Sequence, residues 1–185
     1  YNPNILPELQ GCMARVRSLM RVILYTIDMV VVPALSMKIR RHNIEVYVML
    51  DKGQVKKPSC STQWKAMLEL HDWGVHFRVL TPGKGMMSAL HEKAWLFDNE
   101  LLAFGSANGS NNSYKNCGEN CMFTRSQGII DTHAEHFEEL WHKGEEISWP
   151  VLRKWEERVR AQKLAKAAAK RRSRPTRAEL AAQAG

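Results

Sequence analysis

The sequence predicts an α/β sandwich, in which a mixed, largely parallel sheet is flanked by helices and followed by a basic C-terminal tail. Two strand-length runs rich in β-branched and aromatic residues, Met20 to Ile27 and Ile44 to Leu50, enclose a helix-like segment. A second helix-like segment then leads into a third run, Val75 to Leu80. Strands joined through helices are parallel neighbours, and their repetition argues for the α/β class.

The first helix ends in Lys38-Ile39-Arg40-Arg41, with Asn43 where a left-handed cap belongs. Pro33 blurs its start, since proline is comfortable only in the first turn. Lys52 to Ser61 reads as a polar, lysine-rich loop. Trp64, Met67, Leu68 and His71 then give an amphipathic stretch closed by Gly74. After a loop containing Pro82, Gly83 and Gly85, two strands are expected, Leu90 to Asp98 and Leu101 to Phe104, joined by a turn at Asn99-Glu100. Asn108 to Asn116 is rich in Gly, Ser and Asn and reads as a loop, and Glu119 to Thr124 as a last strand. Ile130, Ala134, Phe137 and Trp141 recur at helical spacing within Ile129 to Trp141. Val151, Leu152, Trp155 and Val159 form one more apolar stripe, after which Ala161 to Lys170 is helical by propensity but has little to bury. There is no internal repeat.

With 185 residues, 44% hydrophobic and 25% charged, the chain suits one domain with a buried core. The expected division is residues 1–149 as the domain and 150–185 as a tail, helical or disordered. The longest apolar stretch, Met29 to Met37, is broken by Pro33 and falls short of the roughly 20 residues a membrane span needs. The chain opens on Tyr1 without a legible signal peptide, so a truncated first strand is expected. Four scattered cysteines, Cys12, Cys60, Cys117 and Cys121, fit free thiols in a reducing, intracellular compartment, whether cytoplasmic, nuclear or mitochondrial. Cys117, Cys121, His133 and His136 can be drawn as a zinc site, but the pattern is loose and reads as ordinary small or core residues. No metal or cofactor is therefore expected.

The net charge of +8 is unevenly placed. Residues 1–150 hold 16 Lys+Arg and 16 Asp+Glu, whereas residues 151–185 hold 11 and 3. A basic tail of this kind suits a polyanionic partner, nucleic acid or an anionic membrane surface. Its bland reading is a solvated extension. Lys170 to Pro175 also has the look of a nuclear localisation signal.

Chemistry concentrates in His91-Glu92-Lys93-Ala94-Trp95-Leu96-Phe97-Asp98 and, six residues on, Gly105-Ser106-Ala107-Asn108. On a strand, positions 91 and 93 project from one face and place an imidazole beside an ammonium. Leu90, Ala94 and Leu96 on the other face suit a core, with Glu92 as an unplaced exception. The next strand delivers a hydroxyl and a carboxamide to the same mouth. Such a pocket suits a phosphate diester, with Lys93 and Asn108 holding the non-bridging oxygens and His91 attacking phosphorus.

The pattern H-x-K-x4-D-x6-G-S-x-N resembles the phospholipase D superfamily motif at every fixed position. The resemblance covers about residues 1–145. Tyr1-Asn2-Pro3 is similar to the Tyr-x-Pro ending the family's first strand, Asn116 to Asn120 to its Asn-x-x-Glu-Asn, and Phe137 to Trp141 to its closing Phe-x-x-x-Trp helix. Short single-motif members, among them bacterial endonucleases and mitochondrial cardiolipin hydrolase and Zucchini-type nucleases, look most similar. The resemblance implies metal-independent hydrolysis through a phosphohistidine, in which a second motif histidine protonates the leaving oxygen and then activates water. Of the seven histidines only His91 has a lysine two residues later. The expected active unit is thus a homodimer with a shared site.

By the same resemblance Glu119 bonds the histidine and fixes its tautomer, although a glutamate there is more often a surface charge. Ser106 supplies a supporting hydroxyl or is simply a turn residue. Asp98 anchors the hairpin away from phosphate, and Gly105 is a structural position of the motif. Trp95 and Phe97 share the parity of the catalytic face and read as sheet core or a dimer contact rather than as stacking on substrate, and Lys84 and Lys115 near the mouth read as solvated lysines rather than as residues tracking a polyanion. A nuclease is the first expectation, a phospholipase or cardiolipin hydrolase the second. A non-catalytic nucleic-acid-binding module is a third, against which the intact His91, Lys93 and Asn108 argue.

Overall fold

The structure, a computed structural model, describes residues 4–57, 61–83 and 88–172. Expectations placed on Tyr1-Asn2-Pro3, Cys60, Lys84, Gly85 and the polybasic residues after Arg172 lie outside these residues. In chain order the elements are α1 (Ile5–Arg15), β1 (Leu19–Leu24), α2 (Val32–His42), β2 (Glu45–Asp51), α3 (Lys52–Lys56), α4 (Ser61–Asp72) and β3 (His76–Leu80). They continue with β4 (Ala94–Phe97), β5 (Leu101–Gly105), α5 (Asn111–Asn116), β6 (Cys121–Thr124), α6 (Gln127–Lys143), β7 (Glu145–Glu146) and α7 (Trp149–Arg172). The strands form one sheet in the order β6-β5-β4-β1-β2-β3-β7.

Alternation along the strands divides the core into two layers. Met20, Val22 and Leu24 of β1, Val46, Val48 and Leu50 of β2, and Trp95 and Phe97 of β4 join the main core with α1, α2, α4 and Leu152 of α7. The intervening positions face α6: Ile23 and Met49 pack with Phe137 and Leu140, and Ala94, Leu96 and Leu102 with Ile130. A helix–sheet–helix sandwich results. Trp95 and Phe97 are core residues, as expected.

Local signals explain the first crossover. Pro33 sits in the first turn of α2, and Asn43 caps its end at φ 49, ψ 43, a left-handed conformation that asparagine tolerates. Gly74, at φ +91, closes α4 in the same way.

The α/β class holds, but the sheet is not largely parallel. Only β1–β2 and β2–β3 are parallel, while β1–β4, β4–β5, β5–β6 and β3–β7 are antiparallel. The β4–β5 hairpin does not extend the parallel half at β3. It docks against β1 from the other side. Three further readings need correction. Lys52–Lys56 is a short helix capped by Asp51, whose Oδ1 accepts from the Gln54 N–H at 2.7 Å. Asn111–Asn116 is a helix capped by Ser110. The strand expected from Leu90 begins only at Ala94. Helix α1 was not anticipated, although Ile5, Leu9, Cys12 and Met13 bury one face of it. In α7, Leu152 is buried and Val159 packs on the core, but Val151 faces solvent.

Asp98 fastens the hairpin to the sheet. It and Asn99 lie at φ 50 and 54, so the turn falls one residue earlier than expected. The Asp98 carboxylate accepts from the backbone N–H groups of Arg17, Ser18 and Leu19 at 2.7, 2.9 and 3.0 Å, and from the Ser18 hydroxyl at 3.0 Å. Burial opposes ionisation, but these donors outweigh it and hold the carboxyl below its usual value. Asp98→Ala is expected to cost about 2–3 kcal/mol in urea unfolding. Because the folded pKa is depressed, this contribution is present above the unfolded carboxyl value and is lost as pH falls through the folded one. A variant as stable as wild type at neutral pH would contradict this anchoring role.

Candidate active site

The proposed catalytic residues gather where several strand ends meet. Ile23 near the end of β1 pairs with Ala94 at the start of β4, and Ala94 with Phe104 near the end of β5. Gly105 pairs in turn with Cys121, the first residue of β6. The segments beyond these ends, residues 25–28, 88–93, 106–111 and 117–120, therefore converge on one edge. In open α/β sheets this carboxyl edge of the parallel strands is where ligands bind.

His91 and Lys93 lie in the segment before β4 rather than on it, yet they come together. Lys93 Nζ is 2.9 Å from His91 Nδ1 and donates to the His91 carbonyl at 2.5 Å. Lys93 is buried at 5% exposure, whereas the His91 ring is exposed. Burial lowers the pKa of Lys93 from the ordinary lysine value, and the Glu119 carboxylate pulls the other way. Tyr25, which sequence reasoning assigned to a strand only, is part of this group. Its ring meets His91 edge-on at 4.7 Å between centroids, and Lys93 Nζ is 5.4 Å from its centroid. Gln54 Nε2 donates to the Tyr25 hydroxyl.

A second residue missed from sequence holds the segment itself. Asp51, 2% exposed, accepts the Leu90 N–H on Oδ2 at 2.8 Å while its Oδ1 caps α3. A carboxylate ending a parallel strand was the available signal, but it was read as the edge of a loop.

Asn108 is oriented from behind. Its Oδ1 accepts the Thr26 N–H at 3.1 Å, and its own N–H donates to Ser113 Oγ at 3.1 Å. With the oxygen engaged, the amide NH2 is the end available to a ligand. Asp28 ties the same two loops together, accepting from the backbone N–H groups of Val30 and Asn111.

Glu119 and Ser106 meet at the β5–β6 junction. The Ser106 hydroxyl donates to Glu119 Oε2 and accepts the Asn120 N–H at 3.0 Å. The Ser106 N–H donates to the Asn120 backbone carbonyl at 3.1 Å. Among the described residues of this chain Glu119 makes no hydrogen bond to His91; its carboxylate accepts from Ser106. It closes the β5–β6 junction instead and adds negative potential near Lys93. The hydroxyl proton of Ser106 is likewise spent inside the junction. Gly105 is required there, because a Cβ would lie 2.3 Å from the Asn120 carbonyl oxygen. Lys115 is exposed, as expected.

The four residues drawn as a zinc site are not brought together. Cys121 packs against the main core, and Asn112 Nδ2 donates to Cys117 Sγ at 3.3 Å. His133 and His136 lie on α6, where they meet Glu92, the residue that sequence reasoning could not place. Among the described residues no group of three or more His, Cys, Asp or Glu side chains is arranged to hold a metal ion. No described helix is long and apolar enough to cross a membrane.

Comparison with known proteins bears on the family and the fold. Residues 9–141 match the family model described as cardiolipin synthase, PLD-like domain. Nuc from Salmonella typhimurium, a phospholipase D family member, superposes with a TM-score of 0.67 at 16% identity, over 76% of this chain and 89% of that one. NucT from Helicobacter pylori gives 0.66 at 16% identity, over 77% and 90%. Phosphatidylserine synthase from Haemophilus influenzae gives 0.65 at 10% identity, over 86% of this chain and 40% of that one. At such identities these likenesses speak to the fold. No curated protein sequence matches significantly.

Proposed function

The chain belongs to the phospholipase D-like family, and from that premise we propose that it hydrolyses phosphodiester bonds in nucleic acid through a phosphohistidine formed on His91. The observation that carries this reading is the exposed His91 ring held 2.9 Å from the buried Lys93 ammonium at the open edge of the sheet. An ammonium only donates, so in this arrangement His91 Nδ1 is an acceptor and its lone pair is covered. A phosphate diester whose oxygens draw Lys93 away frees the ring to turn a bare nitrogen toward phosphorus. Lys93 and the Asn108 NH2 then hold the non-bridging oxygens as charge builds on them.

In the first step a bond forms from His91 nitrogen to phosphorus and the bond from phosphorus to the leaving oxygen breaks. A second histidine protonates that oxygen. In the second step this histidine takes a proton from water, whose oxygen bonds to phosphorus as the nitrogen departs. Since each chain has one His-x-Lys, the second histidine is His91 of another copy, and the working unit is a homodimer with one shared site.

Nucleic acid is favoured by charge. Lys154, Arg158, Arg160, Lys163 and Lys166 are exposed along α7, a surface suited to a phosphate backbone. Hydrolysis of an anionic phospholipid is the second reading. It is supported by the exposed apolar side chains Met122, Phe123 and Ile129 on β6 and α6, which would suit a lipid surface.

The test is to incubate the protein in excess EDTA with single-stranded DNA, duplex DNA, RNA, cardiolipin vesicles and bis-p-nitrophenyl phosphate. Nucleic acid and the small diester should be hydrolysed at undiminished rate. Cleavage of cardiolipin alone would transfer the assignment to lipid. Activity lost in chelator and restored by a divalent metal would overturn the histidine mechanism.

A further inference from the structure

Glu92 points away from the catalytic group, toward α6. One carboxylate oxygen is 3.0 Å from His136 Nε2 and the other 3.6 Å from His133 Nε2. The two histidines are one helical turn apart, so both reach the same carboxylate from one face of α6. Burial lowers the pKa of His133 despite the opposing pull of Glu92, and at 3.6 Å its ring neighbours the carboxylate while His136 makes the hydrogen bond. Glu92 is 32% exposed in its side chain, and each oxygen keeps a lone pair beyond those the imidazoles use.

This carboxylate stands at the rim of a cleft of about 540 Å³ with an apolar lining from Leu102, Phe104 and Ile129. The volume lies within the range of small-molecule sites. At Gly128 a Cβ would meet nothing within 4 Å, so the α6 side of the mouth is open. Lys93 and Gly105 belong to this cleft and to the catalytic group alike. A phosphate held at this edge of the sheet therefore lies beside the cleft, and a substituent on it reaches the cleft by crossing the segment of residues 92 and 93, whose side chains project to opposite faces.

We infer that the cleft between β5 and α6 binds the nucleobase next to the scissile phosphate and prefers guanine, with Glu92 accepting its paired N–H donors. This rests on the nuclease reading above. An apolar, aromatic-lined slot suits a flat heterocycle. A carboxylate only accepts, so it pairs with the adjacent N1–H and N2–H of guanine. It meets an acceptor nitrogen at the corresponding edge of adenine, and uracil or thymine offers a single N–H. His136 holds the carboxylate facing the cleft and so acts as a positioning residue, with His133 packed beside it.

The experiment maps the cuts made in single-stranded DNA and RNA of mixed sequence, with bis-p-nitrophenyl phosphate as a substrate that has no base. Wild type should cut next to guanine about ten- to a hundredfold more often than next to other bases. Glu92→Gln and His136→Ala should erase most of that bias while turnover of the small diester stays within about twofold. Ile129→Trp provides a variant independent of the carboxylate. Ile129 is 49% exposed, so the change removes no core and fills the cleft. It should slow cutting of nucleic acid and spare the small diester. Cuts without base preference, or a preference that survives Glu92→Gln, would overturn the inference and leave the nuclease reading standing. Hydrolysis of cardiolipin with nucleic acid untouched would overturn both.

Discussion

Replacing His91 by asparagine should lower turnover by about 10³-fold or more, since neither the nucleophile nor the acid of the shared site remains. The substitution leaves Lys93 in place and removes no core, because the ring is exposed. Circular dichroism and thermal unfolding should therefore stay close to wild type. Mixing wild-type and His91→Asn chains gives the sharper result. After subunit exchange a heterodimer holds one histidine, so activity should follow the square of the wild-type fraction. A linear titration, or full activity in a species that sediments as a monomer at assay concentration, would refute the shared site.

Removing the charge at Lys93 should be nearly as damaging. Lys93→Ala is expected to lower kcat/KM by about 10²–10³-fold, the scale of losing one donor aimed at developing charge. Lys93→Arg keeps the charge but brings a planar fork into a pocket shaped for a compact ammonium, and should recover only part of the loss. The pH profile tests whether the buried ammonium is responsible. Burial depresses its pKa, so the alkaline limb of kcat/KM should begin below the ordinary lysine range and move upward in Lys93→Arg. Stability changes in the opposite sense. The unfolded chain binds this proton more tightly than the folded one, so stability rises with pH between the folded and unfolded lysine values while activity falls. An alkaline limb unaffected by Lys93→Arg would assign the titration to another group.

Local features of the fold were legible in the sequence. Asn43 and Gly74 marked helix ends because positive φ selects those residue types, and the β1-α2-β2 unit followed from strand-length runs around a capped helix. What sequence could not supply was which strands become neighbours. Antiparallel pairs dominate because β4 docks beside β1, and nothing local to either strand states that preference. The proposed catalytic residues were legible for a related reason. His91, Lys93, Gly105 and Asn108 lie on one hairpin and its flanks, so their spacing survives in linear sequence. Tyr25 and Asp51 serve the same site from other strands and left no comparable trace. Glu92 resisted interpretation because its partners lie on α6, and the bond between Ser106 and Glu119 could be identified only once the β5–β6 junction had been formed.

The insertion of the hairpin beside β1 also governs when the site can exist. Thr26 and Asn108 are 82 residues apart in sequence, and the Asp98 carboxylate reaches back 81 residues to Arg17. Closing loops of this length costs chain entropy before any contact repays it, so topologies built on such pairings fold slowly. The parallel unit β1-β2-β3 rests on shorter crossovers and has its own core under α2 and α4, so it can assemble first. Docking of the hairpin joins β4 to β1 and brings Asn108 to Thr26. A nascent or partly unfolded chain consequently carries all of the proposed catalytic residues without the site they would form. Under the proposed function, hydrolytic capacity is coupled to completion of the sheet.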